Sequence, residues 1–183
     1  MQTFAVYVDN KPGVLNRVAS LFRRRAFNIE SLTVGHTETQ GVSRMTIVVD
    51  TDERGARLVE ANLYKLIPVR RVDNITKLPT IGRDLAMIKV AATGDARTQV
   101  MQLVDVYRAR IVDVSPESLV IETTGTEDKI DSLLEVLRPY RVMEMVRTGR
   151  VEMARGNTQT TPAGSKVPTP VAVAVKDVGN HSV

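Results

Sequence analysis

The chain has 183 residues, 43% hydrophobic and 25% charged, the balance of a soluble globular protein of one or two small domains. It has no cysteine, which excludes disulfides, thiolate metal sites and a cysteine nucleophile, and its two histidines, His36 and His181, lack ligand or triad spacing. The net charge of +4 raises nucleic acid as a partner, but aromatics are 4% of the chain and tryptophan is absent, so stacking platforms are scarce.

In chain order, Phe4 to Val8 is an apolar strand. The interruption at Asp9 gives no expectation of a signal peptide, and no apolar run approaches the length of a membrane span, so the expected location is cytoplasmic. A helix is predicted from about Pro12 to Arg25, with Val14, Leu15, Val18, Leu21 and Phe22 on one face. The triple arginine Arg23-Arg24-Arg25 is placed to complement the dipole at its C-terminus. Ile29 to Gly35 reads as a strand, 37 to 41 as a hairpin loop, and Ser43 to Asp50 as the next strand. A second helix follows from about Glu53 to Leu66, with Leu58, Val59, Asn62, Leu63 and Leu66 as its inner stripe. Val69 to Thr76 closes the unit, giving β-α-β-β-α-β, the ferredoxin-like order.

Residues 78–83, punctuated by Pro79 and Gly82, read as a linker. The pattern then recurs: strand Leu85 to Ala91, helix Asp95 to Ala109, strands Arg110 to Val114 and Leu119 to Thr123, a helix opened by Thr126 and ended by Pro139, and strand Val142 to Arg147. The expectation is an α+β protein of two consecutive ferredoxin-like βαββαβ domains, at 1–77 and 84–156. Residues 157–183 are rich in Thr, Ala, Val, Pro and Gly and read as a disordered tail, in which Val171 to Val175 is a candidate strand for a partner.

The candidate site is the first turn, Asp9-Asn10-Lys11-Pro12-Gly13-Val14-Leu15-Asn16. A helix start leaves backbone N–H groups pointing outward with partial positive charge, suited to a carboxylate. Gly13 allows close approach to the backbone, and Asn10 offers a carbonyl to an ammonium and an amide to a carboxylate. Together they suit a free amino acid, although an ordinary capped turn accounts for the same residues. The second copy has Ala92-Thr93-Gly94-Asp95 there, so it is not expected to bind the same ligand in the same way. No dinucleotide or Walker pattern occurs, and Glu30, Asp50 and Glu122 read as strand-surface charges, so catalysis by this chain alone is disfavoured.

The runs NKPGVLNRVASLFRRRAFNIESLTVG, SRMTIVV, LYKLIPV and VMEMVRTGRVEMARG closely resemble the small regulatory subunit of acetohydroxyacid (acetolactate) synthase, over residues 1–156. The resemblance implies that the N-terminal half is an amino-acid-sensing ACT domain, that two such domains pair across a homodimer, and that the C-terminal half is ACT-like. It implies no catalytic residue, metal or cofactor in this subunit. It implies a catalytic large subunit as partner, with thiamine diphosphate, Mg²⁺ and FAD, which condenses pyruvate with a second 2-oxo acid. The small subunit raises that activity and confers feedback inhibition by valine in branched-chain amino acid biosynthesis. The effector residues it implies are Asn10, Gly13, Val14 and Leu15, with Asn28 and Ile29 from the neighbouring subunit, and Asn16 and Gly35 in support. The C-terminal half, including the basic stretch Arg147 to Arg155, is expected to dock on the large subunit. The alternatives are a stand-alone ACT-type amino-acid sensor and an RNA-binding ferredoxin-like protein, which should carry aromatics on two central strands.

Overall fold

The computed structural model describes residues 1–156. The first unit runs β1 (Gln2–Asp9), α1 (Val14–Arg24), β2 (Ile29–His36), β3 (Val42–Val49), α2 (Glu53–Leu63) and β4 (Val69–Asn74). Its sheet is antiparallel in the order β2-β3-β1-β4, so β1 is central and β2 is an edge. Alternation decides which face meets the helices. Phe4, Val6 and Val8 of β1 and Met45, Ile47 and Val49 of β3 point to one side. There they meet Val14, Val18, Leu21 and Phe22 of α1 and Val59 and Leu63 of α2. Asp52 caps α2 by accepting from the Gly55 amide at 2.7 Å, and Asn62, the polar member of the stripe, is satisfied by donating to the Leu58 carbonyl at 2.7 Å.

The second unit repeats the plan with β5 (Thr80–Ala91), α3 (Gly94–Val106), β6 (Arg110–Val114), β7 (Ser118–Gly125), α4 (Glu127–Leu137), a short 3₁₀ turn (Arg138–Tyr140) that holds Pro139, and β8 (Val142–Arg147). The order β6-β7-β5-β8 is that of the first sheet, strand for strand. Ile88, Val90 and Ile121 pack against Val100, Val104, Ile130, Leu133 and Leu137. The two ferredoxin-like units are therefore present as the periodicity predicts.

Two expectations are corrected. The segment 78–83 does not remain a plain linker: Thr80 to Arg83 opens β5 and pairs antiparallel with a strand the pattern did not reveal, β9 (Val151–Ala154). Gly82 and Pro79 are loop formers locally, but the pairing is made with a segment some seventy residues on, which local signals do not report. Leu58, placed in the inner stripe of α2, is 51% exposed, and Ala56 is buried in its stead. The arginines of the basic stretch also make contacts within the chain. Arg147 pairs with Asp84 at 2.7 Å and with Asp131 at 3.0 Å, Arg150 pairs with Glu127 at 2.7 Å, and Arg155 donates to the Thr80 carbonyl at 3.2 Å. The readings for 157–183, including the strand at Val171 to Val175, lie outside the described residues.

The two sheets differ on the side away from their helices. In the first, Thr3, Ala5, Thr46 and Val48 are all buried on that side. Residues 149–152 lie against part of it, where the Arg44 guanidinium donates to the Glu152 carbonyl and the Arg150 amide donates to Ser31 Oγ at 3.0 Å. In the second, Met87 and Val146 stand opposite each other and open to solvent.

The two leucines of α2 provide a test of this packing. Leu63 is fully buried and Leu58 is half exposed. Leu63→Ala is expected to cost about 2–5 kcal/mol in urea unfolding, and Leu58→Ala less than about 0.5 kcal/mol.

Candidate functional site

The end of β1 is fixed from both sides. The Asp9 amide donates to the Pro68 carbonyl at 2.8 Å, and the Asn10 amide to the Gly41 carbonyl at 2.9 Å. Asp9 Oδ1 accepts from Arg70 Nε at 2.6 Å, and Asp9 Oδ2 from Lys11 Nζ at 3.3 Å. The chain then reverses through Gly13, which has a φ of +80°, a left-handed conformation that glycine adopts without strain. A Cβ there would meet nothing within 4 Å, so the space in front of the turn is open. The first helical bond is Arg17 N to Gly13 O at 3.1 Å. The amides of Leu15 and Asn16 lie ahead of it and have no intrahelical acceptor. No side chain caps this helix. The result is an exposed helix start with its donors unspent, which attracts a carboxylate.

Asn10, Gly13 and Asn16 are exposed around this opening, and Leu15 stands beside them at 46% exposure. Val14 is different: its side chain is buried in the core, so only its backbone faces the turn. Gly35 is exposed at the end of β2. Next to it, His36 Nδ1 lies 3.4 Å from Asn10 Nδ2. The spacing of His36 in the sequence points to no such contact. The signal that finds it is the hairpin: β2 and β3 pair His36 with Ser43, and β3 pairs Val42 with Asp9, which brings the end of β2 to the end of β1.

Asn28 and Ile29 are not in this group. Ile29 begins β2 and Asn28 immediately precedes it; Ile29 is seven residues before His36, and at about 3.3 Å per residue that places it roughly 23 Å away along the strand. The Asn28 amide donates to Glu30 Oε1, and Ile29 packs at the edge of the core. One chain thus holds the two halves of the predicted site at opposite ends of an edge strand. Grooves of about 540, 310 and 210 Å³ elsewhere on the chain are not lined by any of these residues. Among the described residues, no three His, Cys, Asp or Glu side chains converge as a metal site, and no helix is long and apolar enough to cross a membrane.

The second unit shows what an occupied turn looks like. At its helix start, Gly94 again has a positive φ, +50°. Three residues on, where the first unit has Asn16, stands Arg97. Its guanidinium donates to the carbonyls of Ala92 (3.0 Å), Pro116 (2.7 Å) and Ser115. This side chain ties the turn to the loop between β6 and β7. The open turn of the first unit has no such strap, as the divergence of the two motifs leads one to expect.

Two ferredoxin-like units in tandem, the first with an Asn-x-x-Gly turn at an uncapped helix start, define an ACT-type module. Residues 4–71 match the family described as the AHAS small subunit-like ACT domain, and residues 83–156 match the family described as the small subunit of acetolactate synthase. A probable acetolactate synthase small subunit of Archaeoglobus fulgidus is 51% identical over 155 residues, covering 85% of this chain and 97% of the relative. The acetolactate synthase small subunit of Mycolicibacterium smegmatis is 47% identical over 154 residues, covering 84% and 91%. The crystal structure of the small subunit from Thermotoga maritima superposes with a TM-score of 0.81 at 42% identity, covering 85% of this chain and 98% of that one. The chain belongs to the acetolactate synthase small-subunit family.

The anchor of the turn carries a pH signature. The hydrogen bond from Arg70 holds the Asp9 carboxyl below its usual range, against the opposing effect of burial. A depressed folded-state pKa contributes stability that is complete above the unfolded pKa and is lost as pH falls through the folded one. Asp9→Asn is therefore expected to lower stability by about 1 kcal/mol at pH 7. The gap to the parent should close on acidification below about pH 4, as read by urea unfolding across a pH series.

Proposed function

We propose that the chain is the regulatory subunit that joins the catalytic large subunit of acetolactate synthase, raises its activity and makes it sensitive to valine. Thiamine diphosphate, Mg²⁺ and FAD are the large subunit's in this reading, and serve its condensation of pyruvate with a second 2-oxo acid. The present chain contributes a switch and no catalytic group. Its effector site combines Asn10, Gly13, Val14 and Leu15 of one copy with Asn28 and Ile29 of a second, supported by Asn16 and Gly35.

The observation that carries the reading is the placement of those residues on β2. This strand has a partner on one side only, β3, and its other edge is unpaired among the described residues. Unpaired edges recruit strands. If two β2 edges join antiparallel about a two-fold axis, the start of one strand lies beside the end of the other. Asn28 and Ile29 of the second copy then come to Gly35, His36 and the open turn, and the 23 Å separation within one chain disappears.

In that arrangement the valine carboxylate faces the amides at the helix start, worth about 0.3–1 kcal/mol and up to about 2 when partly buried. Asn10 receives the ammonium through its side-chain carbonyl. The isopropyl group packs on Leu15 and on Ile29 of the second copy, at about 0.8 kcal/mol per buried CH₂. Alanine lacks that contact and should bind about tenfold to a hundredfold more weakly.

The RNA-binding alternative loses its platform. The outward aromatic of β1, Tyr7, lies between the guanidinium groups of Arg44 and Arg71, at 5.8 and 5.3 Å from the ring centroid. Its neighbours on that face, Ala5, Thr46 and Val48, are buried. No open stacking surface is left on this side of the first sheet.

Gly13→Asp tests the site. It places a carboxylate where the ligand's should lie, in a conformation that Asp tolerates better than most residues. The expected result is loss of valine binding by calorimetry and loss of valine inhibition of the reconstituted enzyme, with activation of the large subunit retained. Gly13→Asn, which adds similar bulk without charge, should lose less. Undiminished inhibition of the Gly13→Asp enzyme removes the turn from the effector site.

A further inference from the structure

The strand that carries half of the proposed effector site is also the strand on which the second unit rests. Ser31 and Thr33 of β2 point away from the helices, toward residues 149 and 150. Gly149 approaches so closely that a Cβ built on it would lie 2.5 Å from Ser31 Oγ, 2.6 Å from Thr33 Oγ1 and 3.3 Å from the Leu32 carbonyl oxygen. Real side chains do not sit at such distances, so a Cβ at 149 would have to displace the Ser31 and Thr33 hydroxyls and crowd the β2 backbone. One residue on, the Arg150 amide donates to Ser31 Oγ at 3.0 Å. Thr33 Oγ1 is buried there without a hydrogen-bond partner.

The other side of this contact is held firmly by the second unit. Thr148 exchanges bonds with Leu85 of β5, its amide to the Leu85 carbonyl at 2.9 Å and the Leu85 amide to its Oγ1 at 3.0 Å. Arg147 is paired to Asp84, and Arg150 to Glu127 in the first turn of α4. A displacement of β2 at Ser31 cannot be absorbed by a loose loop. It must move the end of β8 and the start of α4, or break the bond to Arg150. Ile29, the effector contact on the same strand, is two residues from Ser31.

We propose that the peptide Gly149–Arg150, seated on Ser31 and Thr33 of β2, is the joint through which the second unit senses occupancy of the effector site. The proposal rests on the valine reading given above. Coupling between two sites requires an element whose position both of them bias, and β2 is in contact with both. The joint gives Gly149 and Ser31 a role in transmission without any contact with the effector.

The test uses the full-length chain and the enzyme reconstituted with its large subunit. Gly149→Ala inserts a Cβ that must displace the Ser31 and Thr33 hydroxyls, and Ser31→Ala removes the acceptor of the Arg150 amide without adding bulk. For both, the expected result is valine binding to the full-length chain within about threefold of the parent, activation without valine retained, and the half-inhibitory valine concentration of the reconstituted enzyme raised about tenfold. Valine should also change the hydrogen-exchange rate of the Arg150 amide in the parent. Where Gly149→Ala does not fold, Ser31→Ala and the exchange rate decide the question. Unchanged inhibition in the folded variants, with the parent inhibited, overturns the joint and leaves the effector site standing. Loss of valine binding by the variants also overturns it, because the contact then acts on the site itself. A parent chain that neither binds valine nor confers inhibition overturns the effector reading, and the joint with it.

Discussion

The placement of the first turn depends on where β1 stops. β1 is central in its sheet, so both of its edges are hydrogen-bonded and its length is set by its neighbours. At its end, the carbonyls of Pro68 and Gly41 take the amides of Asp9 and Asn10, and Arg70 takes the Asp9 carboxylate. The chain has no freedom until Lys11, and by Val14 it must have entered α1 with its apolar face on the core. Gly13 makes that possible in so few residues, because the left-handed conformation is open to it at little cost. The price of so abrupt an entry is an uncapped helix, and its unsatisfied amides are the chemistry on offer.

Much of this was legible in the sequence because the signals are local. Alternation located β1, β3 and β7, and helical spacing located α1 and α4 to within a few residues. The candidate turn was legible for the same reason, since Asn10, Pro12 and Gly13 act on the backbone next to them. Contacts between distant segments left no such trace. The pairing of Thr80 to Arg83 with β9 joins segments that carry no shared pattern, and Gly82 within it argues locally for a loop. The charge of Arg147, Arg150 and Arg155 was visible, but the carboxylates and carbonyls they meet come from elsewhere in the fold. Leu58 shows the limit of periodicity: it stands beside Val59 in the stripe, yet Val59 is fully buried and Leu58 is half exposed.

The two units show how one topology can be put to two uses by small changes. Strand order and core positions correspond, yet Arg97 straps the second turn shut where Asn16 leaves the first one open. The sheets diverge in the same sense. The first is buried on both faces and exposes an edge, while the second exposes a face around Met87 and Val146. An exposed edge is suited to joining its own kind by strand pairing, which is directional and self-complementary. The first unit thus carries both the open turn and the surface that can double it.

The β5–β9 ribbon bears on how such chains can be inherited. A topological count places the border between the units near residue 77, but the physical contacts run across it. Thr80 accompanies the second unit, and its hydroxyl bonds Glu152 at 2.6 Å. The Glu152 carbonyl in turn takes Arg44 of the first unit. A recombinant that exchanged one unit at that border would set Ser31 and Arg44 against a foreign segment not shaped to the close approach that Gly149 makes. The seam therefore makes the two halves complementary to each other as well as to themselves, so a swap of either half would have to match the other at Ser31 and Arg44.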